Sequence, residues 1–308
     1  MHLTMVNSRI VVVKSMVLLL LVFIGCSRSP SKKEEDVLSG SAKILVDETI
    51  APIIEDQIAV FQNSYTRTEL TMLARPENEV VRDLLNDTAK LAIITRELTQ
   101  DEENFFKSKT IYPKTVRFAT DAIAVITNKR NADSTIRVDD IIRLMKGEAV
   151  EGINALVFDN ANSSTVAFFK HLAEVKELPK TGIYALKDNA AVVKYVHDYP
   201  QSVGVIGINW LNQPSPMIEP YVRDIKLLGV KNQQGKRGDD GFYKPTQSNL
   251  ALNLYPFTRK LYLINVQGKK AVGTGFSAFL HGERGQRIIL KSGLLPDSIP
   301  PREIIIRK

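Results

Sequence analysis

Cysteine is all but missing: the 308-residue chain has one, Cys26. One cysteine excludes an intramolecular disulfide framework and leaves that residue to be explained separately. Histidine is scarce too. His2, His171, His197 and His281 lie far apart with no metal-ligand spacing, and His171 and His197 fit surface or capping positions on helices. No metal site is expected. No block of basic residues alternates with aromatics, so no nucleic-acid partner is expected either. The apolar stretch Met16–Ile24 falls short of the ~20 residues that a spanning helix needs. Catalytic signatures are equally thin. Gly273-Thr-Gly-Phe-Ser277-Ala-Phe279 lacks the closing glycine of a nucleophile elbow. Gly229…Gly235-Lys236-Arg237 has the wrong spacing for a P-loop. The adjacent acids Glu102-Glu103 and Asp139-Asp140 point different ways on a helix, which gives no acid/base pair. The expectation is a non-enzyme without a cofactor.

What is present is a globular composition, 44% hydrophobic and 24% charged, in a chain long enough for about two domains. The net charge is +7; without Arg9 and Lys14 of the leader, 39 basic and 34 acidic residues leave +5. The two signs are mixed, which suits weak attraction of small anions. Arg9 and Lys14 precede the Met16–Ile24 core, and Gly25-Cys26 follows. This resembles a bacterial lipoprotein signal, with Phe23 where leucine is commoner. Residues 1–25 are therefore expected to be a signal peptide and Cys26 a lipidated residue. The chain would be exported and anchored to a bacterial membrane on the periplasmic or cell-surface side. Residues 26–40 read as a flexible tether.

Short apolar strands then alternate with amphipathic helices. Ala42–Val46, Glu69–Leu73, Lys90–Thr95, Ala122–Thr127, Ala155–Phe158, Ser202–Ile208 and Lys260–Val266 read as strands. Helices are expected to follow Thr49, from Glu77, near Asp101, over Val138–Met145, after Ser163, over Ala190–Asp198 and over Gly275–Lys291. Lys231–Gln247 reads as a polar loop. The pattern indicates α/β lobes with mainly parallel sheets covered on both faces. In such sheets ligands sit beyond the carboxyl ends of strands. Three turns at such positions carry hydroxyls: Asp47-Glu48-Thr49, Thr95-Arg96 and Ser163-Ser164-Thr165. The first N–H groups of a helix are unpaired and positive, so a hydroxyl-bearing helix start can cradle an oxyanion. Ordinary capping explains each turn equally well on its own.

Taken in order, these segments resemble the phosphate-binding protein family of ABC importers, the periplasmic type II solute-binding proteins. Asp47-Glu-Thr-Ile-Ala-Pro52, Ile93-Ile-Thr-Arg96, Asp121-Ala-Ile-Ala-Val-Ile-Thr-Asn128, Ser163-Ser-Thr165, Gly204-Val-Ile-Gly207, Tyr255-Pro256 with Arg259-Lys-Leu-Tyr262, and Gly285-Gln286…Gly293 follow the family's order. The resemblance implies a two-lobed α/β fold, each lobe a mixed, mainly parallel sheet flanked by helices and the two joined by two crossover segments, with residues 41–127 plus 257–308 as one lobe and 128–256 as the other. It implies capture of phosphate or a similar oxyanion for delivery to an ABC permease and its ATPase. Thr49 and Thr95 would donate from the first lobe, and Ser163, Ser164 and Thr165 from the second. Two departures stand out: Asp159 occupies the place of a family arginine, and Ser164 that of a glycine. Arg96 is then the expected source of positive charge, through a guanidinium fork that suits an oxyanion. Asp159 or Glu48 would accept the proton of a hydrogen phosphate. An organic ligand, or a non-transport sensor or surface-assembly lipoprotein on the same fold, is the alternative.

Overall fold

The computed structural model describes residues 36–268 and 270–298. The expected signal peptide, Cys26 and tether residues 26–35 lie outside these. The chain divides into residues 1–34 and 35–308, and the second unit is described here. Among the described residues no helix is long and apolar enough to cross a membrane. None of them forms a group of three or more His, Cys, Asp or Glu placed to hold a metal ion.

The first strand, β1 (Gly40–Asp47), turns into helix Ala51–Ser64, and β2 (Thr68–Arg75), helix Glu77–Leu85, β3 (Leu91–Ile94) and helix Gln100–Ser108 follow. A long strand, β4 (Lys114–Asn128), leads to β5 (Thr135–Arg137) and helix Val138–Met145. Next come β6 (Ala155–Phe158), helix Ser164–Leu172, β7 (Ile183–Ala185), helix Asn189–Asp198 and β8 (Ser202–Gly207). The chain continues through β9 (Ile225–Leu227), β10 (Gly229–Lys231) and β11 (Thr258–Asn265). It then forms helices Val272–His281 and Glu283–Lys291 and ends in β12 (Leu295–Pro296).

Ten strands form one sheet in the order β2-β1-β3-β11-β4-β8-β6-β7, with β9 and β12 both added to β4. The expected parallel pairing holds where strands alternate with helices: β1 with β2 and β3, and β6 with β7 and β8. In the middle the pairing is antiparallel, as a mixed sheet requires. There β11, which arrives from the end of the chain, runs antiparallel to both β3 and β4, and β4 runs antiparallel to β8. The sheet is therefore mixed.

Strand β4 joins the two groups. Lys114–Ala122 pairs with β11, while Ile123–Thr127 pairs with β8. It starts eight residues before the apolar run that marks it in the sequence, because its first residues are largely exposed and need no apolar signal. From Phe118 onward every residue is buried. Fully burying each of Ile123, Val125 and Ile126 contributes about 1.5–3 kcal/mol. The period of two puts alternate residues on opposite faces. Thus Ile44, Val46, Leu91 and Ile93 join the main core. Leu45, Ala92 and Ile94 face the other way, against Val80, Leu84 and Phe106.

One expected helix is two. Gly282, with φ −69° and ψ 163°, is extended and separates Val272–His281 from Glu283–Lys291. The second helix begins so close to the first that a Cβ on Gly285 would lie 2.3 Å from the Phe279 carbonyl. Apolar periodicity does not register a one-residue break of this kind.

Glycine also sets how closely helix Asn189–Asp198 lies on β8. A Cβ on Gly204 would come within 2.9 Å of side-chain carbons of Val196, Val192 and Ile126. Gly204→Ala is expected to overpack this contact and to cost about 1–3 kcal/mol. A denaturant midpoint equal to that of the native chain would show that the helix yields without cost.

Candidate functional site

The turn after β1 is built by its acid. Asp47 Oδ1 accepts the Thr49 backbone N–H at 3.0 Å, and Asp47 and Thr49 are fully buried. The turn after β6 is built in the same way. Asn160 Oδ1 accepts from Asn162 N at 2.9 Å, bending the chain so that Ser163 becomes the N-cap. Ser163 Oγ accepts from Val166 N at 3.1 Å and donates to Asp159 Oδ1 at 2.6 Å. Asn189 Nδ2 donates to the other oxygen, Oδ2, at 3.2 Å. The N–H groups of Ser164 and Thr165 begin a helix, with no acceptor inside it and the positive end of its dipole around them.

These two turns meet. Thr49 Oγ1 lies 3.2 Å from Ser164 Oγ, and Trp210 Nε1 donates to the Thr49 carbonyl at 2.9 Å. Between the turns stands Arg259, which is 5% exposed. Its Nη1 donates to Ser164 Oγ at 2.6 Å and, more weakly, to Thr165 Oγ1 at 3.5 Å. Its Nη2 and Nε both donate to Asp121 Oδ2, at 2.5 and 3.2 Å. Arg259 and Asp121 are direct cross-strand partners of β11 and β4, so they emerge on the same face of the sheet. Burial works against the arginine's charge, but Asp121, Asp47 and Glu77 outweigh it and hold the guanidinium above its ordinary value.

Of the residues expected at the site, Thr49, Asp159, Ser163, Ser164 and Thr165 come together, with Glu48 alongside. Thr95 and Arg96 are committed elsewhere. Thr95 N and Oγ1 both donate to Glu77 Oε2, each at 2.7 Å. The Arg96 fork is bidentate to Glu102, both bonds 2.8 Å, and its Nε lies 3.5 Å from Glu77. Arg96, the expected source of positive charge, is thus engaged by carboxylates of the chain itself, and the cation in contact with Ser164 and Thr165 is Arg259. Asp159 accepts one hydrogen bond on each oxygen, from Ser163 and from Asn189. The sequence did carry a sign of the missed pair. Asp121 is a lone acid in the buried run Phe118-Ala-Thr-Asp-Ala-Ile-Ala-Val125, and a buried carboxylate requires a partner.

Carboxylates outnumber the cation. Burial, then the charge of Glu77, raises Asp47 from an ordinary 3.8 to about 7, against the pull of Arg259. Burial, then Asp159, Asp188 and Glu79, raises Glu48 from 4.5 to about 7. Burial likewise raises Asp159. Several buried polar atoms have no hydrogen-bond partner: Asp47 Oδ2, Glu48 Oε1, Asp121 Oδ1, Asn189 Oδ1 and both amide atoms of Asn209. Asn209 sits beside Gly207, whose added Cβ would meet Asn209 Oδ1 at 2.5 Å and the Thr49 carbonyl at 2.9 Å. Buried polar atoms left without a partner where two strand-end turns meet call for hydrogen-bonding partners from outside the chain.

A carboxyl raised on folding binds protons that the unfolded chain has already lost, so stability falls as pH rises from about 4 to about 7 and then levels off. The ceiling is about 1.4 kcal/mol per pH unit for each group. The half-exposed Glu48 contributes less because solvent screens it. Asp47→Asn keeps the acceptor for Thr49 N and removes the charge. It is expected to flatten the fall in melting temperature between pH 5 and pH 8, at about these values. A variant with the native slope would show that Asp47 is ordinary.

The PBP superfamily domain model matches residues 31–284. The phosphate-binding protein PstS of Borreliella burgdorferi is 24% identical over 268 residues, which is 80% of this chain and 86% of that protein. A Clostridium perfringens protein assigned as a phosphate ABC transporter substrate-binding protein, with bound phosphate, has a TM-score of 0.68 at 18% identity. That match covers 84% of this chain and 100% of the other. An ABC-type phosphate transport receptor from Vibrio cholerae has a TM-score of 0.63 at 18% identity, over 83% of this chain and 100% of its own. These proteins are solute-binding proteins, not enzymes, and the shared architecture is the α/β periplasmic-binding-protein type II fold. With 254 of its residues matched by the family model, this chain belongs to the PBP superfamily.

Proposed function

We propose that this protein captures inorganic phosphate, or a closely similar oxyanion, and delivers it to an ABC permease with its ATPase. Residues 41–127 with 257–308 would form one lobe and 128–256 the other. The observation that carries this reading is that Ser164 and Thr165 both meet Nη1 of Arg259 while Thr49 meets Ser164. One cation, hydroxyls and a helix N-terminus form a preorganised set of donors for an oxyanion. The phosphate-binding relatives support the choice of ion.

The surplus of carboxylates makes proton content decisive. Asp47 is buried beside these donors, with the Ser164 hydroxyl acting on it and its Oδ2 short of a well-formed hydrogen bond. Hydrogen phosphate brings an O–H to such an acceptor, whereas sulfate brings only another negative charge. Calorimetric titration of the full chain in detergent with phosphate, sulfate and molybdate tests this directly. Phosphate is expected to bind near one equivalent, and Ser164→Ala to weaken it about tenfold, the loss of a hydrogen bond to a charged group. Asp47→Asn is expected to narrow the preference for phosphate over sulfate. No heat with phosphate from folded, ligand-free protein would end the proposal.

Export and anchoring through Cys26 complete it. A lipidated Cys26 would keep the binding domain near its permease, with residues 27–35 as the tether, since Asp36 and Ser39 already pair and β1 starts at Gly40. Cys26→Ser is expected to move the protein from the membrane fraction to the soluble fraction of cells. Unchanged fractionation would remove the anchor from the proposal. A sensor or surface-assembly lipoprotein on the same fold is the second reading, favoured by Asp159 in the position of the family arginine. A permease and ATPase encoded beside this chain would decide against it.

A further inference from the structure

The donors around Arg259 account for one side of the polar cluster. Glu48, Asp188 and Asn189 form another. Asp188 is fixed as the N-cap of helix Asn189–Asp198, accepting Ala191 N at 2.8 Å. Asn189 is 1% exposed; its Nδ2 is spent on Asp159, and its Oδ1 is buried with no partner. Glu48 directly precedes Thr49 and is half-buried, and its Oε1 is also buried without a partner. The charges acting on Glu48 are all negative, from Asp159, Asp188 and Glu79. The two orphaned atoms on this side are both acceptors, and the local field favours a cation.

An inorganic oxyanion seated on Ser164, Thr165 and Arg259 leaves that side unanswered. An ammonium joined to the oxyanion by a short arm would donate to Glu48 Oε1 and Asn189 Oδ1 and relieve the repulsion among the acids. We propose that the site accepts zwitterions of the aminoalkylphosphonate and aminoalkyl phosphate ester class. The oxyanion would sit at Ser164, Thr165 and Arg259, and the ammonium among Glu48, Asp188 and Asn189. This rests on the reading of the Arg259 side as an anion site, and it assigns Glu48 as the residue that selects the charged arm.

Two probes of nearly equal size separate the possibilities: aminoethylphosphonate, with the ammonium, and propylphosphonate, with a methyl group in its place. Calorimetry on the full chain in detergent, with inorganic phosphate run in parallel, is expected to give at least about tenfold tighter binding of the amine. That is the value of one charge-assisted hydrogen bond. Glu48→Gln is expected to bring the ratio of the two affinities towards one. Equal binding of the two phosphonates by the native chain overturns the proposal, as does a ratio that Glu48→Gln leaves intact. Binding of phosphate with silence towards both phosphonates overturns it while leaving phosphate capture standing. Silence towards all three removes both.

Discussion

The buried pair of Arg259 and Asp121 is the constraint on which the site depends. Its stabilising value is modest, since the attraction between two buried charges roughly repays the cost of desolvating them. Breaking it is another matter. Removing either partner strands a charge inside the protein, at a cost of about 3–5 kcal/mol. Its worth lies in position. Two of the guanidinium's nitrogens are held by Asp121, leaving Nη1 aimed at Ser164 and Thr165. Because the two residues are opposite one another on β11 and β4, this aim is set by strand register rather than by a mobile loop.

A second consequence is electrostatic. Among the described residues Arg259 is the one cation bonded to the hydroxyls of the meeting turns, and Asp121 already balances it. Asp47, Asp159 and Glu48 then make the region net negative whenever they are ionised. Their raised pKa values follow from burial, which penalises each charge, and for Asp47 and Glu48 the neighbouring acids add to the penalty. An anion is held in such a place by many dipoles and shared protons more than by full positive charge. Selectivity then follows from which ligands bring hydrogen-bond donors to acceptors that would otherwise stay empty.

Much of this was legible in the sequence. The strand–turn–helix units after β1 and β6 announced themselves through apolar runs followed by Asp, Ser and Thr, and Thr49 and Ser163–Thr165 do meet. Thr95 and Arg96 followed the same rule and went elsewhere, because Glu77, eighteen residues upstream, takes both the hydroxyl and the backbone N–H of Thr95. Local turn chemistry cannot tell a ligand from a carboxylate of the same chain that fills the same role. Arg259 was hidden for a different reason. Its strand, Thr258–Asn265, mixes polar and apolar residues like any half-covered strand, and its partner Asp121 lies 138 residues away. The antiparallel insertion of β11 that pairs them leaves no mark in apolar periodicity, which reports which face is buried and not which strand lies alongside.

The exchange of an arginine for Asp159 then has a structural meaning. With an arginine in the turn, residues 159–165 would carry their own positive charge and could attract an anion alone. With Asp159 there, the turn offers neutral donors beside a carboxylate that anchors Ser163 and Asn189. The positive charge comes instead from β11, in the part of the sheet that also holds Thr49. On the proposed reading, neither side is a competent anion site by itself, since one has donors without a cation and the other a cation already neutralised by Asp121. An oxyanion becomes favourable only where both surround it. The two sides already touch, through the bond from Nη1 to Ser164.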